Sequence, residues 1–88
     1  MAFLFENLEV YKKGMEFTKG VFLLAKGFRE RTIKDQLCRA ALSIPLNVAE
    51  GNGRIHLKEK RQYFYTARGS LLECVPIIQL NNGNTLQK

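Results

Sequence analysis

The run Arg39-Ala-Ala-Leu-Ser-Ile-Pro-Leu-Asn-Val-Ala-Glu-Gly-Asn-Gly-Arg54 constrains this chain more than any other stretch. At 100° per residue, Leu37, Ala41, Ile44 and Val48 fall on one strip of a helix, and Arg39, Ser43, Asn47 and Glu50 fall on another. The apolar strip calls for neighbouring helices. The polar strip has two readings: a solvated face, or a satisfied network between helices in which Glu50 pairs with an arginine. The second follows from the weak helix-forming tendency of Ser and Asn, which are rarely spent on solubility alone. Pro45 removes the N–H that would bond the Ala41 carbonyl and crowds the same turn, so a kink or local unwinding is expected near Ala41.

The rest of the chain divides around this helix. A first helix is expected over about residues 8–28, with Asn7 as its N-cap. Leu8, Tyr11, Met15, Thr18, Phe22 and Ala25 form one row along it, and Val10, Gly14, Phe17, Val21, Leu24 and Phe28 form a second row beside the first. Two adjacent rows imply cover on two sides, by the chain itself and by another subunit. Lys12, Lys19 and Lys26 mark the solvent side. Gly27 and Arg29-Glu-Arg31 make the first connection, and Thr32-Ile-Lys-Asp35 has the form of a capping box opening the second helix, over about residues 33–50. Gly51-Asn-Gly53 offers residues that tolerate a left-handed helix end. The loop that follows is short, which makes consecutive helices antiparallel neighbours.

The third helix is expected over about residues 57–80. Leu57, Phe64, Leu71 and Ile78 recur every seven residues, with Ala67 and Cys74 between them, as in a bundle seam. Gly69 has the position of a close helix crossing. Pro76 weakens the last turns, and Asn81-Asn-Gly-Asn84 is turn chemistry, leaving 81–88 as a short polar tail. The fold class is therefore all-α, an antiparallel up-and-down helical bundle forming a single domain over residues 1–88.

At 88 residues the chain has room for one modest core. Fourteen Lys and Arg against eight Asp and Glu leave a net charge of +6, which favours acidic partners, nucleic acid first. Arg54, Lys58, Arg61, Tyr65 and Arg68 follow one another at spacings of four, three, four and three, so they share a helix face. Cations with an aromatic among them suit phosphate contact plus base stacking. The plainer readings are a solvated face, or arginines engaged within the scaffold by Glu50 and Asn47.

Other chemistries find no support. A zinc site built on Cys38, His56 and Cys74 lacks a fourth ligand, and no cofactor motif is present. With one His, no paired carboxylates and no Gly-rich phosphate loop, no catalytic constellation assembles. His56 falls at the start of the third helix, where a boundary role suffices. The cysteines fit reduced core residues of a cytoplasmic protein. No signal sequence and no window of membrane-spanning length are evident, so no membrane association is expected.

Phe5-Glu-Asn-Leu-Glu-Val-Tyr11, Gln36 to Gly51 with Gly53-Arg54, Tyr63-Phe64 and Ala67-Arg-Gly-Ser-Leu-Leu-Glu73 together resemble a known family. It is that of the four-helix-bundle proteins encoded in intervening sequences of bacterial 23S ribosomal RNA genes. The run Arg-Ala-x-x-Ser-Ile-x-x-Asn-x-Ala-Glu-Gly is specific to it, and the resemblance covers about residues 3 to 80. These proteins are also similar to the accessory variability protein of diversity-generating retroelements, which partners a reverse transcriptase and binds nucleic acid. The resemblance implies an up-and-down bundle, assembly into a ring-like homopentamer and a role with RNA. It brings no catalytic residues. The positions carried over are Arg39, Ser43, Asn47, Glu50, Gly51 and Gly53, in a structural role. Two departures stand out: His56 replaces a capping Ser or Thr, and the chain ends where a fourth helix is expected to begin. The open groove of a three-helix remnant points to self-association. The functional expectation is a non-enzymatic homo-oligomer that binds RNA or a ribonucleoprotein partner through basic helix faces. Its alternative is a protein-interaction scaffold with no nucleic-acid role.

Overall fold

The computed structural model describes the backbone of residues 2–86 and the side chains of residues 8–81. The described chain consists of three helices, α1 (Ala2–Ala25), α2 (Arg31–Asn52) and α3 (Leu57–Leu86), and holds no strand. The fold is all-α, as the periodicity predicts.

The register follows from close contacts. Gly14 of α1 lies against Ile44 and Pro45 of α2, and Thr18 reaches Ala41, so α1 and α2 run antiparallel. Ser43 meets Ser70, and Gly51 meets Tyr63 and Phe64, so α2 and α3 are antiparallel as well. Between α1 and α3 the situation differs. No described Cα of α1 lies within 8 Å of a Cα of α3. The second helix is thus a central rod with a neighbour on each side. Its strip Leu37, Ala40, Ala41, Ile44 and Val48 supplies half of the buried apolar core, joined by Val21, Ala25 and Phe28 on one side and Ala67 and Cys74 on the other.

Neither α1 row by itself faces the central rod. It sits between the two rows, burying Gly14 and Val21 from one and Thr18 and Ala25 from the other. Leu8 and Phe22 stay exposed on one flank of α1, and Val10 and Leu24 on the other.

Pro45 does not unwind its helix, which continues from Arg31 to Asn52. The Ala41 carbonyl, deprived of its helical donor, accepts a hydrogen bond from Thr18 Oγ1 at 2.8 Å. Pro45 itself is fully buried, and the bare Gly14 backbone lets its ring come close.

Several boundary expectations are corrected. Asn7 lies inside α1, which starts at Ala2, because nothing upstream of Asn7 breaks a helix and propagation is cheaper than nucleation. The same helix stops at Ala25, where the amides of Lys26, Gly27 and Phe28 bond carbonyls three residues back and the tightened turn carries Phe28 into the core. The α2 N-cap is Glu30, in extended backbone, whose carbonyl accepts the Lys34 amide at 2.9 Å while its side chain caps nothing. Burial of Phe28 shortens the connection, so the helix begins ahead of Thr32. At the other end no described residue has positive φ, and Gly53 closes α2 in right-handed backbone, its amide shared by the Ala49 and Glu50 carbonyls. The expected polar tail continues α3 as far as Leu86, because Asn and Gly weaken a helix by up to ~1 kcal/mol each without interrupting it.

Two packing expectations also change. A Cβ on Gly69 would meet nothing within 4 Å, so it marks no crossing; the tight crossing is at Gly51, where a Cβ would stand 3.0 Å from Phe64 Cε1. Of the expected α3 seam, Ala67 and Cys74 are buried, with Ser70 beside them, and Phe64 and Ile78 pack against the core, since small side chains let two rods approach; Leu57 and Leu71 instead stay exposed on the flank.

Candidate nucleic-acid interface

The polar strip of α2 reaches α3 through Ser43. Ser43 Oγ and Ser70 Oγ are 2.8 Å apart, and either hydroxyl can be the donor. Asn47 Nδ2 donates to the Ser43 carbonyl at 2.7 Å and to Ser43 Oγ at 2.9 Å, holding that hydroxyl in place. Both are partly buried, so a missing partner here would leave a desolvated polar atom. Arg39, at the far end of the strip, is exposed.

Arg54, in the α2–α3 turn, is the junction. Its Nη2 donates to Glu50 Oε1 at 2.9 Å and to Tyr63 Oη at 2.8 Å, and its guanidinium carbon lies 4.9 Å from the Tyr63 ring centroid. The Tyr63 phenol first, then Glu50 and Glu59, hold the Arg54 guanidinium above its ordinary pKa against a smaller opposing effect of desolvation. It stays a fixed cation, with Nη2 held by the scaffold. Lys60 adds a tie, donating from Nζ to the Gly51 carbonyl at 3.3 Å, and the His56 carbonyl accepts the Lys60 amide to start α3. Gly51 is buried under Phe64 and Tyr63, and Gly53 closes the helix.

The five residues of the basic strip therefore divide. Arg54 is engaged by Glu50 and Tyr63, whereas Lys58, Arg61, Tyr65 and Arg68 are exposed along α3. Tyr65 is 60% exposed, with Arg61 one turn before it and Arg68 one turn after. Among the described residues neither Lys58, Arg61 nor Arg68 has an ion-pair or hydrogen-bond partner. This arrangement can hold phosphates and offer an aromatic face. The described residues include no cluster of three metal-ligating side chains.

The sequence model of one family, 23S rRNA-intervening sequence protein, matches residues 6–86. The chain belongs to that family. As a 23S rRNA-intervening sequence protein it carries the expected Arg39, Ser43, Asn47, Glu50, Gly51 and Gly53 run, of which Ser43 and Gly51 meet α3, Glu50 meets Arg54 in the turn leading to it, and Asn47 holds Ser43. Comparison with curated proteins finds no match. Comparison with solved structures finds none either.

Two participants escaped the sequence reading. Tyr63 has no role in the sequence reading beyond the family motif, although an aromatic nearly two turns into α3 can lie over an arginine of the preceding loop, as it does here. Thr18 was counted in an apolar row, although a hydroxyl there, facing a helix with a proline, is the signal that its carbonyl would need a donor.

Proposed function

We propose that this 23S rRNA-intervening sequence protein is a non-enzymatic homo-oligomer that binds structured RNA through α3. The observation that carries the reading is the exposed set Lys58, Arg61, Tyr65 and Arg68, three unpaired cations around an open aromatic ring. A net charge of +6 supports it, because phosphate contact dominates nucleic-acid affinity. Self-association is supported by the uncovered flank of α1, where Met15, Phe22 and Leu23 line an open apolar depression of about 590 Å³ with Leu42 of α2. Closing copies into a ring, a homopentamer in our reading, covers that flank with an interface that repeats head to tail. The cytoplasm suits two free cysteines and described helices of which none is long and apolar enough to cross a membrane.

A salt titration tests the RNA reading. Affinity for a structured RNA falls steeply with log salt, and replacing Lys58, Arg61 and Arg68 by Ala lowers the slope by about 2 to 3. Equal binding by the triple variant makes the strip a solvated face. Binding partners captured equally well after nuclease treatment assign the chain to protein scaffolding instead. Sedimentation as a folded monomer at micromolar concentration removes the oligomer.

A further inference from the structure

Gly69 has no structural reason to be a glycine. It lies in the interior of α3, where glycine weakens a helix relative to alanine. Its φ is not positive, and a Cβ built on it would meet nothing within 4 Å, so neither backbone conformation nor a close helix crossing calls for it. The residue is exposed, and so is Tyr65 one turn before it. Residues four apart are neighbours on a helix surface, so a side chain at position 69 would stand roughly 5–6 Å, Cβ to Cβ, from that of Tyr65. Helical side chains lean toward the N-terminus, and this one would cover the surface beside the ring. Glycine leaves that place bare.

The Tyr65 ring is itself free. Among the described residues no cation lies over it and its hydroxyl has no hydrogen-bond partner. Charge around it is uneven. At 100° per residue Arg61 and Arg68 fall on one side of Tyr65, Lys58 lies two turns before it, and Gly69 falls on the other side with Gln62 and Glu73 beyond. Two exposed carboxylates border this surface, Glu59 next to Lys58 and Glu73 one turn after Gly69. Phosphates are therefore favoured along Lys58, Arg61 and Arg68, and the Gly69 side suits an uncharged group with polar edges. A continuous RNA duplex meets only the first condition, because the faces of its bases are covered by stacking. An unpaired nucleotide meets both.

We propose that α3 takes an unpaired nucleotide of a structured RNA, its base stacked on Tyr65 over the bare Gly69 backbone and its flanking phosphates on Arg61 and Arg68. Gln62 and Glu73 stand at the rim, where an amide and a carboxylate exchange hydrogen bonds with the base edge. The inference rests on the RNA reading of the same strip and specifies what the strip selects: a bulge or loop in preference to continuous duplex.

The test is fluorescence anisotropy with the full chain and two labelled RNAs, a blunt, fully paired duplex and the same duplex with one bulged adenosine. The parent chain binds the bulged RNA about tenfold tighter, the effect of one base on one aromatic ring. Tyr65→Leu removes that preference and leaves affinity for the paired duplex as it was, whereas Tyr65→Phe retains it. Gly69→Gln introduces a good helix former whose side chain covers the bare place, so the preference falls about fivefold or more while the urea midpoint rises. Weaker binding then cannot come from unfolding. Equal binding of the two RNAs by the parent chain overturns the proposal, as does an undiminished preference in Tyr65→Leu or Gly69→Gln; each leaves the salt-dependent RNA reading standing. Binding of neither RNA removes that reading, and this inference with it. Sedimentation of the variants at the parent mass supports the assignment, and a smaller particle for Tyr65→Leu or Gly69→Gln makes this face a contact between copies and overturns it.

Discussion

The Thr18 hydroxyl is the donor that Pro45 makes necessary, and this can be tested as a coupling between two residues on different helices. In an uninterrupted helix the Ala41 carbonyl would accept the amide of residue 45. Here that residue is a proline, the carbonyl is inside the molecule, and Thr18 Oγ1 stands 2.8 Å away. The same hydroxyl is 2.9 Å from the Gly14 carbonyl, but that carbonyl lies one turn back in an unbroken helix and has its own amide donor. Thr18→Val keeps the shape and the β-branch and deletes the donor. Thr18 is 6% exposed, so water has little access, and an orphaned buried acceptor costs ~1–3 kcal/mol. A loss of about 2 kcal/mol lowers the melting temperature of a domain of this size by roughly 8–16 °C. Pro45→Ala restores the amide and gives the carbonyl a partner within its own helix. In that background Thr18→Val costs less than about 0.5 kcal/mol, a coupling near 1.5 kcal/mol in the double-mutant cycle. Changes in packing at Pro45 cancel across the cycle. Thermal or urea unfolding of the four proteins, at matched protein concentration because assembly shifts apparent stability, supplies the numbers. An equal loss in both backgrounds refutes the reasoning, since it would mean that Thr18 matters for something other than the carbonyl freed by proline.

Two further outcomes follow from the same packing. Gly51→Ala and Gly69→Ala change stability in opposite directions. At Gly51 the new methyl stands 3.0 Å from Phe64 and 3.2 Å from Tyr63, and overpacking of ~1–3 kcal/mol exceeds the helix-propensity gain; at Gly69 it meets nothing within 4 Å, and the gain of ~0.5–1 kcal/mol stands alone in a urea midpoint. Burial, and next the Glu73 carboxylate, push the Cys74 thiol above its ordinary pKa. The unfolded chain then releases that proton first, so stability is unaffected below about pH 8 and declines as pH rises through and beyond the usual thiol range. Cys74→Ala flattens this alkaline decline, and in the parent chain an alkylating reagent modifies half-buried Cys38 well before Cys74; equal rates, or an unchanged alkaline slope, contradict the account.

The sequence reading reached the helices and the two strips of α2 because both are periodic, and periodicity belongs to a helix by itself. Where it stopped is equally physical. The width of the apolar surface on α1 was evident, but a row of side chains does not say which half a neighbour covers, and α2 lies over the gap between the rows. Heptad spacing places Ala67 and Cys74 in the α3 seam, where they are buried, but it adds Leu57 and Leu71, which are exposed, and passes over Ser70, because distance between axes is set by the smallest side chains and not by the most hydrophobic. The basic strip was read from spacing as one surface. It divides because Arg54 lies before α3 begins, within reach of Glu50 and Tyr63, while the others ride on a helix face with no partner among the described residues.

That division bears on the proposed RNA face. Glu50 and Tyr63 hold Arg54 in the turn, and Lys60 ties α3 back to the Gly51 carbonyl, so the connection between the helices is fastened at the end nearest the exposed cations. A rigid turn fixes the direction of α3 relative to α2, and with it the face on which Lys58, Tyr65 and their flanking arginines meet solvent. If that face holds RNA as proposed, each cation on a phosphate adds about 0.9 to the salt slope, so Arg61→Ala lowers it by about 1. Arg54→Gln, at a guanidinium already paired with Glu50, lowers it by less, and an equal drop for the two variants refutes the division.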